Sequence, residues 1–125
     1  MGGQVSHFKN YAPEEHRHGY SRTRYNNEYN RCLGVLERQL EARDYLIGDY
    51  SIADMICWPW VLIAKAMEFS LDEFPRVADW RNRLKERPAV QRGVDLGKSS
   101  RRSASPTEEE RKILFNQRAK RNLEN

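Results

Sequence analysis

The chain has 125 residues and a net charge of +4, which predicts one domain and excludes a large enzyme fold. Hydrophobic residues make up 38% and charged residues 32%, so any core must be concentrated in a few segments. The most apolar segment, 52–64, is shorter than the roughly 20 apolar residues of a membrane span. The first twenty residues lack the apolar stretch of a secretory signal. We therefore expect a soluble, cytoplasmic protein without a membrane partner.

The positive charge is confined to the C-terminal tail. Residues 98–125 hold eight Lys or Arg and four Asp or Glu, whereas residues 1–97 hold fourteen of each kind. A basic tail can bind nucleic acid phosphates, but the body is neutral and Phe115 is the one aromatic residue among these charges. We therefore expect a solvated tail and no nucleic-acid partner.

A long amphipathic helix is predicted between residues 21 and 43, because its apolar residues recur at steps of three and four. These residues are Tyr25, Tyr29, Cys32, Leu33, Leu36 and Leu40. Ser51 then begins a second helix, with Asp54 placed three residues later to complete a capping box. That helix is apolar on every side through Ala64, which predicts a core helix surrounded by the others, with a kink at Pro59.

Two further helices are predicted after this segment. Pro75 occupies a first-turn position, and Val77, Trp80 and Leu84 form a stripe that ends before Pro88. A short helix follows up to Gly97, and the composition of residues 98–104 favours a linker. Ser105, with Pro106 and Glu108 behind it, is expected to cap a last helix that docks on the body.

The sequence therefore predicts an all-α fold of five or six helices around a central buried helix at about 52–66. Residues 1–97 form the helical domain, and residues 98–125 form a basic linker and docking helix. No phosphate-binding glycine loop or nucleophile elbow occurs, so we assign no catalytic residue. The positions of Cys32 and Cys57 indicate buried thiols rather than catalytic nucleophiles. The three histidines are His7, His16 and His18, and their spacing indicates a solvated loop rather than a metal site. No metal is predicted.

Arg24 is the strongest candidate for a ligand contact. It follows Tyr20 by four residues, which places both side chains on one helix face near a helix start. A guanidinium beside an aromatic ring can hold a small carboxylate by two hydrogen bonds. The alternative is an ordinary exposed charge, and the periodicity alone favours that alternative.

Several segments, taken in order, resemble the helical C-terminal domain of glutathione transferases, and most closely the Nu-class type related to disulfide-bond oxidoreductases. The segments are MGGQVSHFKNYAPE, RYNNEYNRCLGVLERQL, YLIGDYSIADMICWPWV, FPRVADWRNRLKERPAVQRG and EEERKILFNQ. The capping box SIAD followed by WPW is the most specific of them. This resemblance implies that Arg24 contacts glutathione and that Tyr20 lies near the same ligand.

In such proteins a thioredoxin-like domain holds most of the glutathione, and the helical domain forms a wall for a hydrophobic electrophile or disulfide. The resemblance implies a homodimer with glutathione as co-substrate. The chain matches the pattern from partway through the first helix of the helical domain, so we expect the thioredoxin-like domain to be absent and the partial site to be inactive alone. We also expect Val5, Phe8 and Tyr11 to be exposed by that absence. The alternative is a non-catalytic helical module for interaction or dimerisation.

Overall fold

The computed structural model describes residues 1–96, 98 and 106–116. All longer elements in these ranges are helices, and the only β-structure there is two isolated bridges beside Gly48, so the predicted all-α fold is confirmed. Six α-helices follow one another: α1 Gly2–Asn10, α2 Tyr20–Gln39, α3 Ile52–Leu62, α4 Pro75–Lys85, α5 Pro88–Asp95 and α6 Glu108–Phe115. Single 3-10 turns lie at Glu14–His16 and Lys65–Met67. Within the described ranges, no helix has the length and apolar character needed to cross a membrane.

Helix α2 packs along the predicted stripe. Tyr29, Leu33 and Leu40 are buried, and the other three stripe residues are half-buried. The Tyr29 hydroxyl donates to the carbonyl oxygen of Trp60 at 2.9 Å, which joins α2 to α3. The stripe therefore provides one wall of the core, as the spacing predicted.

Helix α3 begins at the predicted capping box. The Ser51 hydroxyl accepts from the Ala53 N–H at 3.2 Å, and the Asp54 carboxylate accepts from the Ser51 N–H at 3.0 Å. Asp54 is fully buried and also accepts from the Leu46 N–H at 3.1 Å and from Trp80 Nε1 at 2.8 Å. One carboxylate therefore joins the start of α3 to the preceding loop and to α4. The two contacts outside the box were not predicted, because they join residues distant in sequence.

The prediction that α3 is surrounded by the other helices is wrong for half of its surface. Asp54, Trp58 and Val61 are buried on the packed side. Five large apolar side chains on the other side are exposed, and we call them the bare face: Ile52, Met55, Ile56, Trp60 and Ile63. The physical reason is that α2 and α4 contribute apolar residues to one side of α3 only. A helix can therefore be apolar on every side and still be packed on one side only.

Helix α4 confirms its predicted stripe, since Val77, Trp80 and Leu84 are almost completely buried. Pro75 stands at its first position. Its N-terminus is capped by a side chain of another helix. The Glu37 carboxylate on α2 accepts from the Arg76 N–H at 3.2 Å and from the Val77 N–H at 3.0 Å. A negative charge at a helix N-terminus satisfies unpaired N–H groups and interacts favourably with the helix dipole.

Helix α6 begins two residues later than predicted. Thr107 is its N-cap, and Glu110 completes the box, in place of Ser105 with Glu108. The stretches Ser-Pro-Thr-Glu and Thr-Glu-Glu-Glu both carry the box pattern, and the second one makes the reciprocal hydrogen bonds. Ser105 and the end of the predicted helix lie outside the described residues. The Arg111 guanidinium of α6 donates to the Tyr11 carbonyl oxygen at 2.8 and 2.6 Å.

Candidate functional site

Tyr20 and Arg24 lie on the first two turns of α2. Gly19 caps this helix with a φ of +92°, a value that glycine adopts without steric cost. The Tyr20 side chain is 83% exposed, and that of Arg24 is 53% exposed. The four-residue spacing puts both on one face, as predicted, but among the described residues no hydrogen bond or ring contact joins them. The structure thus brings them to one surface without forming a preassembled pair.

Arg24 is held weakly within its own helix. Its Nη1 lies 3.5 Å from Glu28 Oε2, at the outer limit of a hydrogen bond. Glu28 is bound more tightly by Arg31, whose Nε and Nη2 donate to the two carboxylate oxygens at 2.9 and 2.7 Å. These two bonds from Arg31 are the main reason that the pKa of Glu28 is lowered to about 2, with a smaller contribution from Arg24.

Glu28 was not assigned a role from the sequence, although its spacing from both arginines is the signal that could have found it. Residues three and four positions apart on a helix are neighbours, and opposite charges there form ion pairs. Because Arg31 satisfies Glu28 through both oxygens, Arg24 can leave Glu28 without leaving that carboxylate unpaired. Its guanidinium is therefore available to a carboxylate ligand.

A hydrogen bond and two ion pairs fix the chain on either side of Tyr20. Arg17 donates to the Ala12 carbonyl oxygen at 2.8 Å, which closes the loop before α2. Arg22 pairs with Glu68 at 2.9 Å, and Lys9 of α1 pairs with the same carboxylate at 3.1 Å. Hydrogen bonding and charge from Lys9, followed by the charge of Arg22, lower the pKa of Glu68. The first turn of α2 is thereby fixed to α1 and to the end of the core.

Cys57 and Tyr29 are the two groups whose pKa burial raises most clearly. Burial raises the pKa of the Cys57 thiol, and the nearby Asp54 charge raises it further, so this thiol stays protonated near neutral pH. Burial also raises the pKa of Tyr29 to about 12. Both cysteines, which the sequence predicted to be buried thiols, are free and half-buried. Within the described ranges, no group of His, Cys, Asp or Glu is placed to hold a metal ion.

Of the N-terminal residues expected to be exposed, Val5 is buried and Phe8 and Tyr11 are half-buried. Val5 is 3% exposed, and the Phe8 ring stacks on Tyr25 with centroids 5.4 Å apart. Tyr11 lies 5.6 Å from the Phe115 ring of α6. His7 also packs against Phe115 and lies in α1, rather than in the loop predicted for it. The expectation is therefore wrong for Val5, and neighbouring rings of α2 and α6 cover part of Phe8 and Tyr11.

The exposed apolar surface lies instead on α3 and continues into a groove. The bare face runs along one side of α3, and between α3 and α5 there is an open groove of about 610 Å³. Met55 and Ile63 belong to both, so the two form one continuous surface. The opposite wall of the groove is supplied by Val90 and Val94 of α5.

Comparison with known proteins gives one family. The family described as "Glutathione S-transferase, C-terminal domain" matches residues 13–88. The disulfide-bond oxidoreductase YfcG of Escherichia coli is 40% identical over 91 residues, which are 72% of this chain and 41% of YfcG. The disulfide-bond oxidoreductase YghU of the same organism is 40% identical over 101 residues, which are 74% of this chain and 34% of YghU. The chain thus spans about two fifths or less of these relatives.

A solved structure agrees with the sequence relatives. The glutathione transferase of Burkholderia graminis, solved with two glutathione molecules bound per subunit, superimposes with a TM-score of 0.68 at 38% identity. The superposition covers 78% of this chain and 43% of that one. The similarity therefore extends over most of the helical fold described above.

Proposed function

Since this chain belongs to the family of glutathione S-transferase C-terminal domains, we propose that it forms the second-substrate wall of a glutathione-dependent enzyme. The enzyme would act on glutathione together with a hydrophobic electrophile or a disulfide. Two of the relatives are disulfide-bond oxidoreductases, and a similar structure contains bound glutathione, which supports both parts of this proposal. We further propose that the working protein is a cytoplasmic homodimer.

The observation that carries the proposal is the bare face of α3 with its adjoining groove. A contiguous apolar surface on a small domain marks a place where another body packs. We propose that this body is a thioredoxin-like domain that binds and activates glutathione. Activation means lowering the pKa of the glutathione thiol, because the thiolate is the attacking species. In this proposal the present chain supplies binding, and the thioredoxin-like domain supplies activation.

Arg24 is proposed to hold a glutathione carboxylate, with Tyr20 beside it. The guanidinium has its donors near the protein surface and only a 3.5 Å contact to give up. Exchanging Glu28 for a glutathione carboxylate keeps the charge of Arg24 paired, while Arg31 keeps Glu28 paired. The site therefore changes partners without leaving an uncompensated charge.

The test compares this chain alone with the chain joined to a thioredoxin-like domain of a glutathione transferase. Glutathione binding is measured by calorimetry, and turnover is measured with a chlorinated aromatic electrophile and with a disulfide. We expect saturable turnover from the joined protein only. Saturable turnover by the chain alone would contradict the proposal.

Arg24→Ala in the joined protein tests the residue assignment. It should weaken glutathione binding by about 1.5–3 kcal/mol, the value of a hydrogen bond to a charged group. Arg38→Ala is the matched control, since Arg38 is an exposed arginine on the same helix, and it should leave binding unchanged. Equal binding by both variants would return Arg24 to the class of ordinary surface charges.

The non-catalytic module fits the same bare face, because a second copy could cover it. Sedimentation of the chain alone distinguishes the two functions. A stable dimer in which Ile56 is shielded from solvent would favour the module, if the protein joined to the thioredoxin-like domain also shows no turnover. Turnover after joining would favour the transferase.

A further inference from the structure

A second pocket lies on a different part of the molecule from the bare face and from Arg24. It is open, has a volume of about 540 Å³, and lies between the loop 68–72 and helix α4. Its lining is mixed, with apolar surface from Phe69 and Ala78 and charged or polar groups from Lys65, Arg81 and Asn82. None of the proposed glutathione contacts or bare-face residues lines it. We call it the Arg81 pocket.

Arg81 is exceptional among the half-buried arginines of the described residues. Five others each have a hydrogen-bond or ion-pair partner: Arg17, Arg22, Arg83, Arg87 and Arg111. Arg81 has none, and its Nε is buried without an acceptor; Arg87 Nε is buried in the same way, but Arg87 Nη1 is paired with the Tyr45 hydroxyl. A buried donor that lacks a partner destabilises the fold, and more so when the group is charged. Arg81 also lines the pocket, so its guanidinium is a charged group of the lining without a protein partner among the described residues.

The charges around the pocket favour an anion. Glu68 borders the pocket, but its two oxygens are already bound by Lys9 and Arg22. Asp72 is the remaining carboxylate, and it forms no ion pair with Arg81 or Lys65 within the described part of the chain. Lys9 and Arg22 thus neutralise Glu68 from outside the lining, and Asp72 alone faces the two lining cations, Lys65 and Arg81. The excess positive charge lies on Arg81 and Lys65, which have no ion-pair partner among the described residues.

We propose that the Arg81 pocket binds a small organic anion whose carboxylate or phosphate group is held by Arg81 and Lys65. A guanidinium presents a planar fork of donors that matches two oxygens of such a group, and an ammonium adds a second positive charge. Phe69 and Ala78 provide apolar surface for the body of the ligand, and the volume lies in the usual range for small-molecule sites. This inference does not depend on the proposed glutathione function.

The experiment titrates the whole chain with benzoate, phenyl phosphate and inorganic phosphate, and follows backbone amide shifts by NMR. We expect the shifts to concentrate at residues 65–72 and 78–82. A response to benzoate assigns a carboxylate ligand, and a response to phenyl phosphate alone assigns a phosphate ester. A response to inorganic phosphate alone, or shifts spread over all surface cations, would overturn the proposal, because no organic body would then be recognised.

Variants separate the guanidinium from general positive charge. Arg81→Met should weaken binding at least about tenfold, while the Trp58 indole keeps its bond to the Arg81 backbone oxygen and preserves the fold. Arg81→Lys keeps the charge without the fork and should also weaken binding. Lys85→Met removes one exposed cation from the same helix and should leave binding unchanged.

A thermal measurement checks the same claim independently of the shifts. The bound probe should raise the Tm of the natural chain and of Lys85→Met, and should not raise that of Arg81→Met. Without a probe, Arg81→Met should be at least as stable as the natural chain, because it removes a buried donor without a partner. Equal affinity of the Arg81→Met and Lys85→Met variants for every probe would overturn the proposal.

Discussion

Both sides of helix α3 carry large apolar side chains, but one side is buried and the other is exposed. The packed side carries Asp54, which binds three backbone or indole donors, and Trp58, whose Nε1 donates to the Arg81 carbonyl oxygen at 2.9 Å. The bare face carries aliphatic groups, and its one indole, Trp60, lies against Gly2 at the start of α1. Hydrophobicity alone therefore does not select the packed side. Directional hydrogen bonds from Asp54 and Trp58 fix which side of the helix faces the core.

The largest expected effect comes from the two tryptophans that flank Pro59. Trp58→Ala should lower the free energy of unfolding by about 3–5 kcal/mol, because it leaves a cavity and an unpaired carbonyl. Trp60→Ala is the matched variant from the bare face and should cost less, since Trp60 is already 44% exposed. Urea denaturation measures both. Equal losses would mean that the two sides of α3 contribute alike, contrary to the comparison.

Asp54→Ala tests the polar anchor itself. The substitution leaves the N–H groups of Leu46 and Ser51 and the Trp80 indole without their acceptor, and we expect a loss of about 2–4 kcal/mol. Asp54→Asn is the control, because it keeps the shape and one acceptor oxygen and should lose less. The denaturation midpoint in urea reports the difference. A midpoint shift no larger than that of a surface variant would remove Asp54 from the argument.

Ser51→Ala addresses the same helix start with a smaller expected effect. Loss of the hydroxyl removes the cap on the Ala53 N–H and should cost about 0.5–2 kcal/mol. Ser51→Thr keeps the hydroxyl and should retain most of the stability. If the alanine and threonine variants unfold at the same urea concentration, the hydroxyl is not contributing to the cap.

Local signals predicted most of the helices, and long-range partners could not be predicted. The capping box at Ser51 and Asp54 depends on residues three apart, so the sequence alone was enough to place the start of α3. The contacts from Asp54 to Trp80 and from Glu37 to the start of α4 join residues 26 and 40 positions apart. Such contacts depend on how the helices pack, and no spacing rule reports them. The same reason explains why Val5 was expected to be exposed and is buried.

For the candidate site, too, the sequence predicted contacts between neighbours on one helix but not contacts between residues distant in sequence. Tyr20 and Arg24 were placed on one helix face from their spacing, and the structure has them there. The role of Glu28 as the partner of Arg31 was also available from spacing, whereas the unpaired state of Arg81 was not. Whether a charge has a partner depends on every element around it. The bare face was missed for that reason too, because apolar composition does not say which side of α3 remains uncovered.

Ile56→Ser gives the smallest expected change in stability and the sharpest test of the bare face. Ile56 is 67% exposed, so a polar substitution there should change the free energy of unfolding by no more than about 0.5 kcal/mol. The same substitution should weaken association with a thioredoxin-like domain, because it places a hydroxyl in an apolar contact that must exclude water. Urea denaturation of the chain alone and binding of the separate domain measure the two quantities. Unchanged stability with weakened association would show that the bare face serves a partner, whereas a large loss of stability in the isolated chain would show that it serves this fold.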